Sequence, residues 1–178
     1  MKKILFLFIF LGVQSFVQAQ FNVGGNAILQ FPQGHFKNIS TLSYGGSVSF
    51  GYSFAQRLEL SLVYTGYGYK GGLSQGFSLN SKTVEAKFFF LNGNTRPYIG
   101  CGVGRFTETF DNIGMFPKQI ENKWGLEPKA GVLMDSKMLR NLFVDASLSW
   151  FRDDFSERDL NAFNLAVGLK YMLDFKKN

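Results

Sequence analysis

The chain has 178 residues, with 19 Lys and Arg against 13 Asp and Glu, and a formal net charge of +6. Its basic residues are scattered, so no basic patch supports nucleic-acid binding, and the single Cys101 excludes an internal disulfide. With 21 Phe, 7 Tyr and 20 Gly the composition is aromatic and β-rich; a soluble domain could also bury a core of this apolarity, so composition alone leaves the class open.

Residues 1–19 read as a signal peptide. Lys2 and Lys3 form a basic start, Ile4 to Val13 is an apolar stretch too short to span a bilayer, and Val17-Gln18-Ala19 has the form of a cleavage site. Cleavage before Gln20 would leave 178 − 19 = 159 residues with 19 − 2 = 17 basic groups against 13 acids, a charge of +4. Gln20 rather than a Cys follows the site, which argues against a lipoprotein. No later segment has the unbroken apolar run of a transmembrane helix, so a membrane reading must rest on strands.

From there the chain alternates apolar and polar residues in eight segments: 21–31, 42–54, 57–69, 79–91, 96–107, 123–135, 141–152 and 160–175. In Ser43 to Phe54 the even positions are Tyr44, Gly46, Val48, Phe50, Tyr52 and Phe54, while the odd positions are all Ser or Gly. Successive side chains of a strand point to opposite faces, so one face is apolar and the other polar. The connections 55–56, 92–95 and 135–140 are short, whereas 32–41, 70–78, 108–122 and 153–159 are longer. Short turns on one rim and long loops on the other predict an all-β, eight-stranded antiparallel up-and-down transmembrane β-barrel over residues 20–178.

Turning each apolar face outward puts odd positions outside in the first, fifth and eighth strands and even positions outside in the rest. Phe31, Tyr44, Tyr64, Trp124, Trp150 and Phe163 then point outward toward the long-loop end, and Phe21, Phe54, Phe90, Tyr171 and Phe175 toward the short-turn end. Tyr44 to Phe54 is about 33 Å of strand, which covers about 25 Å of membrane when tilted by about 40°. A soluble barrel would show the reverse polarity, apolar inside.

The inward face carries Glu59, Glu85, Lys87, Glu127, Lys129, Asp145 and Lys170. Eight strands make a barrel just wide enough to be filled by side chains, so these charges should pair. The short turn at 92–95 predicts that Lys87 faces Gly100 and Glu85 faces Gly102, with Gly100, Gly102 and Gly104 leaving room for them. A structural ionic plug and an ion pathway both fit; the small lumen favours the plug. Pro128 lies inside a strand and lacks a donor, which predicts a bulge or a gap in the ladder.

Arg96-Pro97-Tyr98-Ile99-Gly100-Cys101-Gly102-Val103-Gly104 resembles the P-Y-x-G-x-G-x-G strand of the small outer-membrane β-barrel proteins (OmpA-like, "porin family"), and Gly125 to Val132 is similar to their next strand. The resemblance implies the outer membrane of a Gram-negative bacterium and contact with outer-membrane lipid and lipopolysaccharide. It also implies insertion by the barrel-assembly machinery. Tyr171, Leu173 and Phe175 keep the alternation that machinery reads, with Lys176-Lys177-Asn178 after it. The sequence ends there, so the peptidoglycan-binding domain of full-length OmpA-type proteins is not expected.

The implied role is structural or interactional, with no cofactor, metal or catalytic residue. A narrow pore for small solutes is the first alternative. A lipid A-modifying enzyme is the second, because some eight-stranded barrels carry a Ser and a His at the outer rim. His35, with Ser40 or Ser43, is the pair of that kind here, but no spacing motif supports it and a lone loop His reads as solvated. The acidic loop 153–159 lacks the chelating pattern of a calcium loop and reads as solvated. Loop 108–122 carries Phe110, Ile113, Met115 and Phe116, which suit a lid on the barrel mouth or a contact for a surface partner. Cys101 should face lipid as a small apolar residue.

Overall fold

The structure is a computed structural model, and it describes residues 20–34, 37, 42–54, 57–69, 77–110, 119–137, 139–153 and 160–173. The expected signal segment, His35, Ser40, Ile113, Met115, Phe116, Phe175 and the acids of the last loop beyond Asp153 lie outside the described residues.

Eight strands follow one another: β1 (Gln20–Gln33), β2 (Ser43–Phe54), β3 (Leu58–Tyr69), β4 (Phe77–Phe89), β5 (Thr95–Phe110), β6 (Gln119–Asp135), β7 (Leu142–Asp153) and β8 (Asn161–Leu173). Each pairs antiparallel with its sequence neighbours, and β1 pairs with β8, so the sheet closes into a barrel. Closure removes the exposed edges that an open sheet would present. β5 and β6 run past their expected limits of 107 and 123. There the β5–β6 ladder continues as far as Phe110–Gln119, supported by the hydrogen bond from Thr107 Oγ1 to Asn122 Oδ1 at 2.8 Å.

Alternation fixes the two faces as expected. Val48, Leu62, Val84, Ile99, Val103, Leu148, Val167 and Leu169 are exposed on the outside, while Ser47, Glu59, Ser61, Glu85, Lys87, Asp145 and Lys170 are buried inside. The short turns hold the register. Phe90 N donates to Pro97 O at 3.0 Å and Arg96 Nε donates to Gly93 O at 3.0 Å. Gly93 has φ +139°, which a side chain would oppose. Lys87 pairs with Gly100 and Glu85 with Gly102, as the turn predicts. The β6–β7 ladder runs from Gly125–Asp153 and Leu126–Arg152 to Lys129–Ser149 and skips Glu127 and Pro128, which is the expected gap.

The lumen also holds two apolar clusters. Ile28, Tyr67, Phe77, Leu79, Phe106, Phe151, Leu160 and Ala162 pack inside the long-loop end. Phe89, Tyr98, Leu133, Phe143 and Met172 pack inside the short-turn end. The interior is therefore layered, with charges between two apolar layers.

Candidate functional site

The sequence-predicted charges meet in this middle layer. Lys170 on β8 reaches Glu59 on β3, Nζ to Oε1 2.6 Å. Lys87 on β4 lies 3.1 Å from Glu85, 3.2 Å from Asp145 on β7 and 4.0 Å from Glu59. Lys129 on β6 reaches the other oxygen of Glu85 at 2.6 Å. Six of the seven residues thus form one chain, Lys170–Glu59–Lys87–Asp145 and Glu85–Lys129, in which three acids match three lysines.

Glu127 stands apart. Among the described residues no cation lies within ion-pair distance of it; its Oε1 accepts from Ser149 Oγ at 2.6 Å and from Asn164 Nδ2 at 3.4 Å. Neutral donors complete Glu59 and Asp145 as well. Asn22 Nδ2 donates to Glu59 Oε2 at 3.1 Å and Ser53 Oγ to the same atom at 3.3 Å. The Tyr98 hydroxyl donates to Asp145 Oδ1 at 2.7 Å, and Lys87 Nζ also lies 4.8 Å from the centre of the Tyr98 ring. Buried charges survive in a low-dielectric interior when paired and hydrogen-bonded in this way.

The glycines of β5 play distinct parts. A Cβ on Gly100 would meet the Ala86 carbonyl at 2.7 Å, and one on Gly104 would run into the Lys82 carbonyl, so both answer a close approach of the β4 backbone. A Cβ on Gly102 would make only ordinary contacts, from 3.7 Å outward. At Gly100 a Cβ would also lie 3.2 Å from Lys87 Cγ, so room for a long side chain is kept there, whereas Gly102 would take a Cβ without a clash.

Packing leaves little space. The cavity bounded by Glu85, Lys87, Glu127, Lys129, Asp145 and Asn164 offers about 20 Å³ to the centres of water molecules, room for about one water. Above it Phe106 and Phe151 stack with ring centres 4.5 Å apart; below it Phe89 and Tyr98 meet at 5.4 Å. Among the described residues this layer aligns no nucleophile with a base, and its lysines and acids fill the middle of the lumen. Its chemical effect is to tie together strands that are not neighbours in the sheet.

Sequence reasoning left Arg96, Glu108 and Lys123 out of its inward charges. Arg96 places its guanidinium 5.0 Å from the Phe143 ring centre, and Lys123 binds Glu108 at 3.1 Å above the charge layer. Arg96 and Lys123 already stood at inward parity within the expected strands 96–107 and 123–135, and extending the fifth strand by one residue would have added Glu108. Ser43 is buried at the start of β2, and Cys101 is free and exposed on the outer face.

Compared with family models and with curated proteins, the sequence matches none. Solved structures do match. Neisserial surface protein A (NspA) superposes with a TM-score of 0.70 at 20% identity, covering 86% of this chain and 97% of that one. The outer membrane protein OprG from Pseudomonas aeruginosa gives 0.61 at 14% identity, covering 87% and 96%. Ail, the attachment invasion locus protein of Yersinia pestis, gives 0.55 at 18% identity, covering 87% and 97%. At these identities the likeness is one of fold: this chain has the architecture of the small eight-stranded barrels of outer membranes.

Proposed function

We propose that the chain is an integral outer-membrane β-barrel with a structural or surface-contact role, its lumen plugged by the paired charges. The observation that carries this reading is the inversion of polarity. The outer wall is a continuous apolar band and the interior holds the charges, the reverse of a soluble barrel. Outer-membrane lipid and lipopolysaccharide then contact the wall, and residues 1–19 and the barrel-assembly machinery deliver the chain there. The long loops face outward from the cell and are the surface available to a partner. The names of two resembling proteins, one for the surface and one for attachment, accord with a loop-borne contact.

The plug is favoured over the narrow pore by the 20 Å³ left among the lumen charges and by the apolar seal at each end. The test is made in cells and in bilayers. The protein should fractionate with the outer membrane, and its removal should raise sensitivity to detergents or weaken surface contact. Purified protein should insert in vesicles without steady conductance. Recovery in the soluble periplasmic fraction would defeat the membrane reading, and a stable wild-type channel would defeat the plug.

A further inference from the structure

Along β3 to β6 the outer wall changes character at one register row. From the short-turn end of the β4–β5 ladder, the outward pairs are Phe88–Ile99, Ala86–Cys101 and Val84–Val103, then Lys82–Arg105, then Asn80–Thr107. The flanking ladders change at the same row, where Tyr64 faces Lys82 and Trp124 faces Arg105. Like charges directly opposed on neighbouring strands repel, and cations on a lipid-facing wall are costly.

Among the described residues nothing on the wall offsets this. Every Asp and Glu of the eight strands stands at an inward position, and the charged residues at outward positions are Lys82, Arg105 and Arg152, all cations toward the long-loop end. Among the described residues neither Lys82 nor Arg105 has a hydrogen-bond or ion-pair partner, and both are exposed. Beside the pair, Val48, Phe50, Leu62, Tyr64 and Val84 line an open apolar groove of about 630 Å³ that reaches Lys82.

We propose that Lys82 and Arg105 together bind the phosphomonoester of a membrane lipid in the leaflet on the long-loop side, with an acyl chain lying in the groove below. A phosphomonoester carries a charge of about −1.5 to −2 at neutral pH, which two cations neutralise. The arginine fork suits two of its oxygens and the lysine supplies a point charge. Tyr64 and Trp124 stand beside the pair as aromatic residues do at headgroup level. The proposal rests on the membrane reading above.

The test uses the full barrel in phosphatidylcholine nanodiscs, titrated with diphosphoryl lipid A, with fully dephosphorylated lipid A and with inorganic phosphate. Wild type should prefer the phosphorylated lipid. Lys82→Gln with Arg105→Gln should weaken its binding by about tenfold or more, the worth of one charge-assisted bond. Lys137→Gln with Arg140→Gln, in the exposed turn at the opposite rim, should leave binding unchanged. Equal affinity for both lipids, or a preference that survives the Lys82 and Arg105 changes, would overturn the site. Inorganic phosphate binding as tightly as the lipid would overturn the part given to the groove. Insertion is scored separately by heat-modifiable migration. A chain that fails to insert defeats the membrane reading, while one that inserts and ignores phosphate defeats only this site.

Discussion

Lys170 Nζ lies 2.6 Å from Glu59 Oε1, and the bond joins β8 to β3 across the lumen. The two residues are 111 positions apart, and no ladder connects their strands. Both are almost wholly buried. The second oxygen of Glu59 is already taken by Asn22 and Ser53, and its other cation, Lys87, stands 4.0 Å away. Lys170 is therefore the short-range counter-charge of this carboxylate.

Lys170→Met should strand that carboxylate and cost about 3–5 kcal/mol, the usual penalty for breaking a buried pair from one side. Adding Glu59→Gln should recover part of the loss, because the amide keeps hydrogen bonding without the charge. Urea titration of the barrel in lipid vesicles measures both. A double variant no more stable than Lys170→Met would mean the bond does little beyond filling space.

The outer wall makes a separate prediction. Val48 is 62% exposed and lies on β2 between Tyr44 and Tyr52, the aromatic residues nearer each end of that face. Val48→Arg should destabilise the inserted barrel by about 2–4 kcal/mol, the cost of a cation near the bilayer midplane. Val48→Leu should leave it nearly unchanged. Indifference to the arginine would place this face in water.

Cys101 reports on the same wall without mutation. It is free and exposed, and it faces Ala86 and Pro128 on the neighbouring strands. Thiol alkylation proceeds through the thiolate, which needs water or a cation beside it. A charged maleimide should leave Cys101 unmodified in vesicles and modify it fully once urea unfolds the chain. Rapid modification of the inserted protein would contradict a lipid-facing thiol.

How much of this was legible in the sequence follows from what alternation encodes. Period two assigns each residue a face, so the faces, the inward charges and the pairing of Lys87 with Gly100 could be read from local pattern and one short turn. Pro128 announced its ladder gap because it has no donor. The cross-lumen partners could not be read. Whether Lys87 meets Asp145 on β7 depends on the stagger accumulated around the barrel, which no local pattern carries. The two seals were missed for another reason. Phe89, Leu133, Phe143 and Phe151 sit on the polar face by parity, and apolar residues there add no contrast to the alternation. The Glu108–Lys123 pair was missed because Glu108 lay one residue beyond the expected end of the fifth strand.

On the plug reading, the two apolar layers decide whether the lumen conducts. Phe106 and Phe151 close the long-loop end with their rings in contact, and Leu133, wholly buried, lies in the cluster at the short-turn end. An ion crossing the barrel would have to pass both layers and break the pairs between them. Wild-type protein in planar bilayers should therefore show no steady current. Phe151→Ala should cost about 3–5 kcal/mol and admit water as far as Glu127 and Ser149, yet still block ions at the lower seal. Adding Leu133→Ala should open both ends, and intermittent current should appear with a further loss of stability. Steady conduction by the wild type would refute the sealed lumen. So would a double variant as stable and as silent as its parent, because the side chains given the sealing role would then be doing neither job.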